Sequence, residues 1–171
     1  MNKTVRIAMV ALLCVGAAAC SKKQEVKPVP PPQPEQPAPV TQGDQSNGKY
    51  VLGDLEKDPC LRQRIVYFDF NKSEIKPEFQ AIIACHAKYL QDRPESRMTL
   101  EGNTDERGTR EYNLGLGERR ADAVSSALQA DGASASQINV VSYGKERPVC
   151  REHNEDCWSK NRRVQIVYTA E

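Results

Sequence analysis

The sequence predicts an α/β protein, a two-layer sandwich in which a mixed four-stranded sheet of order βαβαββ carries two main helices on one face. Three observations lead there. A β-branched and aromatic run at 65–70 reads as a buried strand, two stretches place apolar residues at helical spacing, and turn signals at Pro94 and Asp131-Gly132 separate those stretches from further strands.

Strand one is 65–70 (IVYFDF). Pro77 stands where the first turn of a helix tolerates a residue without an N–H. Phe79, Ile82, Ile83, His86, Tyr89 and Leu90 then follow at i, i+3, i+4, i+7 spacing, and Pro94 closes the helix. Strand two, 97–101, alternates Met98 and Leu100 against Thr99 and Glu101 and ends at Gly102. A second helix covers about 111–130 and stops at Asp131-Gly132, strand three is 138–143, and strand four, 164–168, alternates Val164, Ile166 and Tyr168. No internal repeat is visible.

The chain has 171 residues, with 24 Lys and Arg against 23 Asp and Glu, a balance that leaves no basic footprint for nucleic acid. Recognition must therefore be local. Its two histidines, His86 and His153, lie far apart, so a His-rich metal site or His-based catalytic centre has little raw material. No cofactor motif is present, and binding is expected rather than catalysis.

Residues 1–19 have the form of a secretory signal: Lys3 and Arg6 make a basic start, 7–15 an apolar stretch, and Ala17-Ala18-Ala19 a small-residue cleavage site. The apolar stretch falls short of the roughly 20 residues a membrane-spanning helix needs. Small residues directly before Cys20 resemble the lipobox of bacterial lipoproteins, in which the cysteine is acylated and becomes the mature N-terminus. By the same resemblance, Ser21 implies delivery to the outer membrane. Residues 20–49 would then be a lipidated cysteine and a linker with Pro28, Pro30, Pro31, Pro32, Pro34, Pro37 and Pro39. Such a composition cannot build a core and reaches somewhere between roughly 30 and 90 Å. The folded domain is expected at 50–171.

Setting aside Cys14 and Cys20 leaves Cys60, Cys85, Cys150 and Cys157, an even set in an exported chain. Of the three connectivities, Cys60 to Cys85 with Cys150 to Cys157 is favoured. The first would pin the lead-in of strand one to helix one, and the second closes a short loop. A zinc site is the alternative, disfavoured by the wide spacing and the lack of a C-x-x-C pair. His86 beside Cys85 invites a Cys-His nucleophile, but its place on an apolar stripe fits a satisfied core histidine better.

Residues 102–109 leave the carboxyl end of a strand and enter a helix, the edge at which ligands bind in α/β sheets. In that helix Leu116, Arg120, Ala123, Val124 and Ala127 share one arc, which puts Arg120 in the apolar face. A guanidinium there must meet a carboxylate, a set of carbonyls or an anionic ligand. One reading is an internal ion pair with Asp105 or Glu106. The other has Asp105 and Arg120 flanking a pocket completed by a zwitterion, the acid holding an ammonium and the guanidinium a carboxylate. Spacing leaves both open. Gly115-Leu116-Gly117 imitates a dinucleotide fingerprint but lies inside a helix. Asp69 with Asp105 imitates a glycosidase pair, yet nothing marks either as a raised-pKa acid.

The segments YFDF at 67–70, EGNTDERGT at 101–109, EYN at 111–113, LGERRA at 116–121, VSYGKERP at 141–148 and SKNRRV at 159–164 resemble the OmpA-like C-terminal domain family, in its branch of lipoproteins that associate with peptidoglycan. The resemblance covers 65–168. It implies non-covalent binding of the diaminopimelate of the peptidoglycan stem peptide, whose free end is a zwitterion. The family's acidic anchor matches Asp105 and its arginine matches Arg120. Phe68, Asp69 and Phe70 resemble the opposite wall, Gly102, Asn103 and Thr104 would offer amides and polar groups, and Leu116 would pack on the ligand's carbon chain. Asn161 and Arg162 fall in a supporting motif at the same edge. The resemblance also implies engagement of the Tol system, notably the periplasmic β-propeller protein TolB, in envelope constriction at division. Asn103 departs from the family, many of whose members have His there, and so do the four domain cysteines. A wall hydrolase and a protein-interaction module without wall binding remain the alternatives.

Overall fold

The structure, a computed structural model, describes residues 48–170. The expected signal segment, Cys20 and nearly all of the linker lie outside the described residues. A one-turn helix α1 (Asp54–Lys57) precedes strand β1 (Ile65–Tyr67), and a 3₁₀ turn Pro77–Phe79 leads into helix α2 (Gln80–Asp92). Strand β2 (Arg97–Asn103), helix α3 (Arg110–Ala130), strand β3 (Ile138–Gly144), helix α4 (Glu155–Asn161) and strand β4 (Arg163–Ala170) complete the order, with a 3₁₀ turn Ala135–Gln137 before β3. The four strands form one mixed sheet in the order β1-β4-β2-β3. β2 and β3 run parallel, and β4 is antiparallel to both β1 and β2.

The alternation seen in the strands decides which face is covered. Val66 pairs with Val164, Leu100 with Ile166 and Val140, and Met98 with Ile138 and Tyr168. Val66, Met98, Leu100, Val164 and Ile166 are buried in one cluster with Ile83, Ala87 and Leu90 of α2 and Ala121, Val124 and Leu128 of α3. Two helices on one face of a mixed sheet are therefore what the sequence predicts. Gly102 and Gly117 let α3 lie close on the face of the sheet: a Cβ on Gly102 would stand 2.0 Å from the Gly117 carbonyl oxygen, and one on Gly117 would stand 2.4 Å from Ser142 Oγ. Gly117, one of the two glycines that imitate a nucleotide fingerprint, thus serves close packing.

Strand one is shorter than expected. Its ladder with β4 ends at Tyr67 opposite Arg163. Phe68 N still donates to the Arg162 carbonyl at 3.0 Å, but the chain then turns, with Lys72 N donating to the Asp69 carbonyl at 3.2 Å and Asn71 at φ 58°. The apolar run thus describes burial beyond the strand, since Phe68 is fully buried after pairing has stopped. Helix α4 escapes sequence reading because it is short and polar. Its start is set by Asn154, whose side chain accepts from Cys157 N at 2.9 Å.

Both favoured disulfides are present. Cys60 and Cys85 join the lead-in to α2 with Cα atoms 6.3 Å apart, and Cys150 and Cys157 close the loop before α4 at 5.1 Å. His86 is buried against both the lead-in and β4. Its Nε2 lies 3.0 Å from the Gln63 carbonyl, which can only accept, so Nε2 carries the proton and Nδ1 accepts from the Tyr168 hydroxyl at 2.9 Å. With Cys85 oxidised, no Cys-His nucleophile exists here.

Candidate functional site

The polar segment after β2 is shaped by its own side chains. Thr109 caps α3 by accepting from Tyr112 N at 3.2 Å. Asn113 donates back to the carbonyls of Arg107 and Thr109 at 2.9 and 3.0 Å. Lys145 Nζ, arriving after β3, donates to the Gly108 carbonyl at 2.8 Å. These bonds fold the loop over the start of α3 and form a cavity of about 250 Å³ with Phe70, Asn71, Tyr112, Leu116 and Arg120 on its walls.

Arg120 is fully buried, and it meets carbonyls, not a carboxylate. Nε donates to the Lys72 carbonyl at 2.8 Å, Nη1 to that of Asn103 at 2.9 Å and Nη2 to that of Asp69 at 3.1 Å, while the guanidinium carbon sits 5.2 Å from the centre of the Phe68 ring. No ion pair joins Arg120 to Asp105 or Glu106, so the internal-pair reading gives way to the set of carbonyls. One cation thereby ties the turn after β1 and the end of β2 to α3. Burial pulls the guanidinium down to about 10, with the Asp105 charge opposing the shift, and leaves it cationic at neutral pH.

Asp105 is buried at 3% exposure on the other side of the cavity. Its Oδ1 accepts from Arg107 N and Nε at 3.1 and 3.3 Å, and its Oδ2 from Arg107 Nη2 at 2.6 Å and Arg162 Nη1 at 3.3 Å. Burial raises the carboxyl, but the Arg107 bonds and charge, with Arg162, outweigh it and hold the group below the usual aspartate range.

The other expected residues divide. Phe70, Asp105, Leu116 and Arg120 reach the cavity together. Phe68 and Asp69 lie behind it: the Phe68 carbonyl accepts from Arg162 Nε at 3.0 Å, and the Asp69 carboxylate pairs with Lys76 at 3.0 Å. Gly102, Asn103 and Thr104 sit beneath the pocket as its frame. Asn103 Nδ2 donates to the Glu101 carbonyl at 2.9 Å, and Thr104 N to that of Gly144 at 2.8 Å. Asn161 stitches the disulfide loop, accepting from Val149 N and Cys150 N and donating to the Cys150 carbonyl. Arg162 spans Asp105 and Glu155.

Sequence reasoning missed Arg107, Glu155 and Trp158. The Arg107 guanidinium is sandwiched 3.9 Å from the Phe70 ring centre and 4.1 Å from that of Trp158. Glu106 accepts from Trp158 Nε1 at 2.8 Å and pairs with His153 Nδ1 at 2.6 Å. A signal for Arg107 was present, because a cation two residues after a buried acid in one loop is placed to reach it. Trp158 had none, since its position depends on α4.

Residues 67–162 match the OmpA family. The peptidoglycan-associated lipoprotein of Haemophilus influenzae is 40% identical over 168 residues, covering 98% of this chain and all of that protein. The crystal structure of the peptidoglycan-associated lipoprotein from Burkholderia pseudomallei superposes with a TM-score of 0.66 at 44% identity, covering 67% of this chain and 98% of that one. The C-terminal domain of Helicobacter pylori MotB shares the fold, with a TM-score of 0.58 at 24% identity over 63% of this chain and 84% of that one.

Proposed function

Because this chain belongs to the OmpA family, among the peptidoglycan-associated lipoproteins, we propose that its domain binds the diaminopimelate of the peptidoglycan stem peptide without catalysis. The observation that carries this reading is the meeting of Asp105, Arg120 and the apolar Leu116 and Phe70 around one cavity. A buried acid, a buried cation and a carbon surface between them fit the ammonium, carboxylate and alkyl chain of one zwitterion. In this reading Arg120 draws together the walls on which the ligand's carboxylate rests, and Asp105 receives the ammonium. Cleavage at residue 19, acylation of Cys20 and the Pro-rich linker would hold the domain off the outer membrane, tethering that membrane to the wall. Engagement of a TolB-like propeller and the Tol system during constriction completes the proposal.

The test is co-sedimentation of the full chain with purified peptidoglycan sacculi, with and without diaminopimelate-containing stem peptide. Wild-type protein is expected to sediment and to be released by the peptide. Asp105→Ala should weaken binding by about 2 kcal/mol or more, since two arginines lose their acceptor and the ligand its counter-charge. Equal sedimentation of wild type and Asp105→Ala would overturn the site.

A further inference from the structure

The carboxylate proposed to receive the ligand's ammonium is already saturated. A carboxylate offers about four lone-pair sites, and four donors occupy those of Asp105: Arg107 N and Nε on Oδ1, Arg107 Nη2 and Arg162 Nη1 on Oδ2. An ammonium can enter only by replacing one of them. Arg107 N is backbone. Arg162 is buried and held at its other ends by the Phe68 carbonyl and Glu155. The Arg107 side chain is the one donor with freedom, at 31% exposure on the rim of the cavity.

We propose that Arg107 is a latch on Asp105 that an incoming ammonium displaces, and that it makes the site selective for ligands carrying a carboxylate beside the ammonium. The inference rests on the diaminopimelate reading of this pocket and adds to it a residue that sets specificity. Phe70 and Trp158 hold the plane of the Arg107 guanidinium from both faces but place no hydrogen bond on its edge. The head can therefore leave Asp105 by sliding in its own plane between the rings, which shifts its overlap with the Trp158 indole. Glu155 Oε2, 3.7 Å from Arg107 Nη2, keeps a negative charge near the departing group.

Charge then selects the ligand. Arg107, Arg120 and Arg162 already crowd three cations around the Asp105 carboxylate. A lone ammonium entering would add a fourth and strand Arg107 without its acid. A zwitterion leaves the net charge unchanged, and its carboxylate offers the freed guanidinium a planar, two-pronged partner in place of Asp105. Exchange of one carboxylate for another is close to balanced, whereas loss of a charge-assisted pair is not.

Trp158 is the single tryptophan of the chain, so its emission reports on the guanidinium stacked against it. The full chain is titrated with three peptides: one with a free diaminopimelate end, the same peptide with that carboxylate amidated, and one with lysine in its place. Wild type should bind the first about a hundredfold more tightly than the other two, with a change in Trp158 emission on saturation. In Arg107→Ala the lysine peptide should gain about tenfold and the zwitterionic one weaken, closing most of the gap, while the ligand-induced emission change is lost. Selectivity unchanged in Arg107→Ala, or saturation of wild type without an emission change, overturns the latch. If wild type then still binds the zwitterion and Asp105→Asn does not, the diaminopimelate reading stands without it. Failure of wild type to bind the zwitterionic peptide removes both.

Discussion

The two disulfides each fasten a loop to a helix, and they serve different ends. Cys60–Cys85 fastens the lead-in onto α2 beside a small apolar cluster of Tyr50, Leu55, Leu61 and Tyr89, with Asp58 Oδ1 accepting from Cys60 N and Leu61 N at 2.7 and 3.2 Å. Its neighbours are core. Cys150–Cys157 fastens a polar loop against α4, which carries Asn161, tied to that loop, and Glu155 and Trp158, which contact Arg107; the adjacent Arg162 pairs with Asp105 and Glu155. The first bridge steadies the fold, and the second braces the residues that contact Arg107, itself on the cavity wall. The same covalent bond thus takes its meaning from what the closed loop presents.

The largest effect is expected where the two roles meet. Arg120→Met should destabilise the domain by about 3 to 5 kcal/mol, because three buried carbonyls lose their shared donor. Equilibrium urea unfolding measures it. A loss under 1 kcal/mol would show that those carbonyls find water instead. At the lead-in, Cys60→Ala with Cys85→Ala should cost about 3.5 kcal/mol of stability by the loop-closure relation for the 25-residue separation, with stem-peptide affinity unchanged. Weakened affinity in the folded double variant would join the two regions that the comparison separates.

The lead-in also carries a pH dependence. Burial lowers His86 from its ordinary 6.5 to about 4, the Gln63 bond opposing, so the folded state keeps it neutral where the unfolded chain binds a proton. Its contribution is intact above about pH 6.5 and is lost as pH falls toward 4, about 3 kcal/mol in all. His153 shifts upward through Glu106 and acts in the opposite sense, but it is fully exposed. Unfolding free energies at pH 7 and pH 5 should differ in wild type and differ less in His86→Gln. An equal slope in both proteins would assign the acid sensitivity elsewhere. The smallest stability effect belongs to the second bridge. Cys150→Ala with Cys157→Ala should cost about 2 kcal/mol for its separation of 7, and this change alone of the two should also weaken stem-peptide binding. Unaltered binding would show that α4 holds Trp158 and Glu155 without the bridge.

Strand alternation and the helical spacing of 79–90 and 116–127 made the sandwich legible, because each element announces its buried face locally. The same reading marked Arg120 as needing partners, since a cation in an apolar stripe is a local contradiction. It did not say which partners. Three carbonyls from Asp69, Lys72 and Asn103 converge only once β1 and β2 are separated by β4 in the sheet. Asp105 was legible as an acid at a strand end, while its saturation by Arg107 and Arg162 was not, because Arg162 lies 57 residues away.

The sequence by itself determined the layers, the covered face and the need of Arg120 for partners, which follow from periodicity and the energetic cost of an unpartnered buried charge; it favoured one cysteine pairing among three without fixing it. Tertiary structure alone decided that Arg120 gathers backbone and not acid, that α4 exists, and that Trp158 and Phe70 close on Arg107 from segments 88 residues apart in number. Hydrogen-bond partners and stacking faces are chosen by three-dimensional proximity, and the chain records them only through the fold.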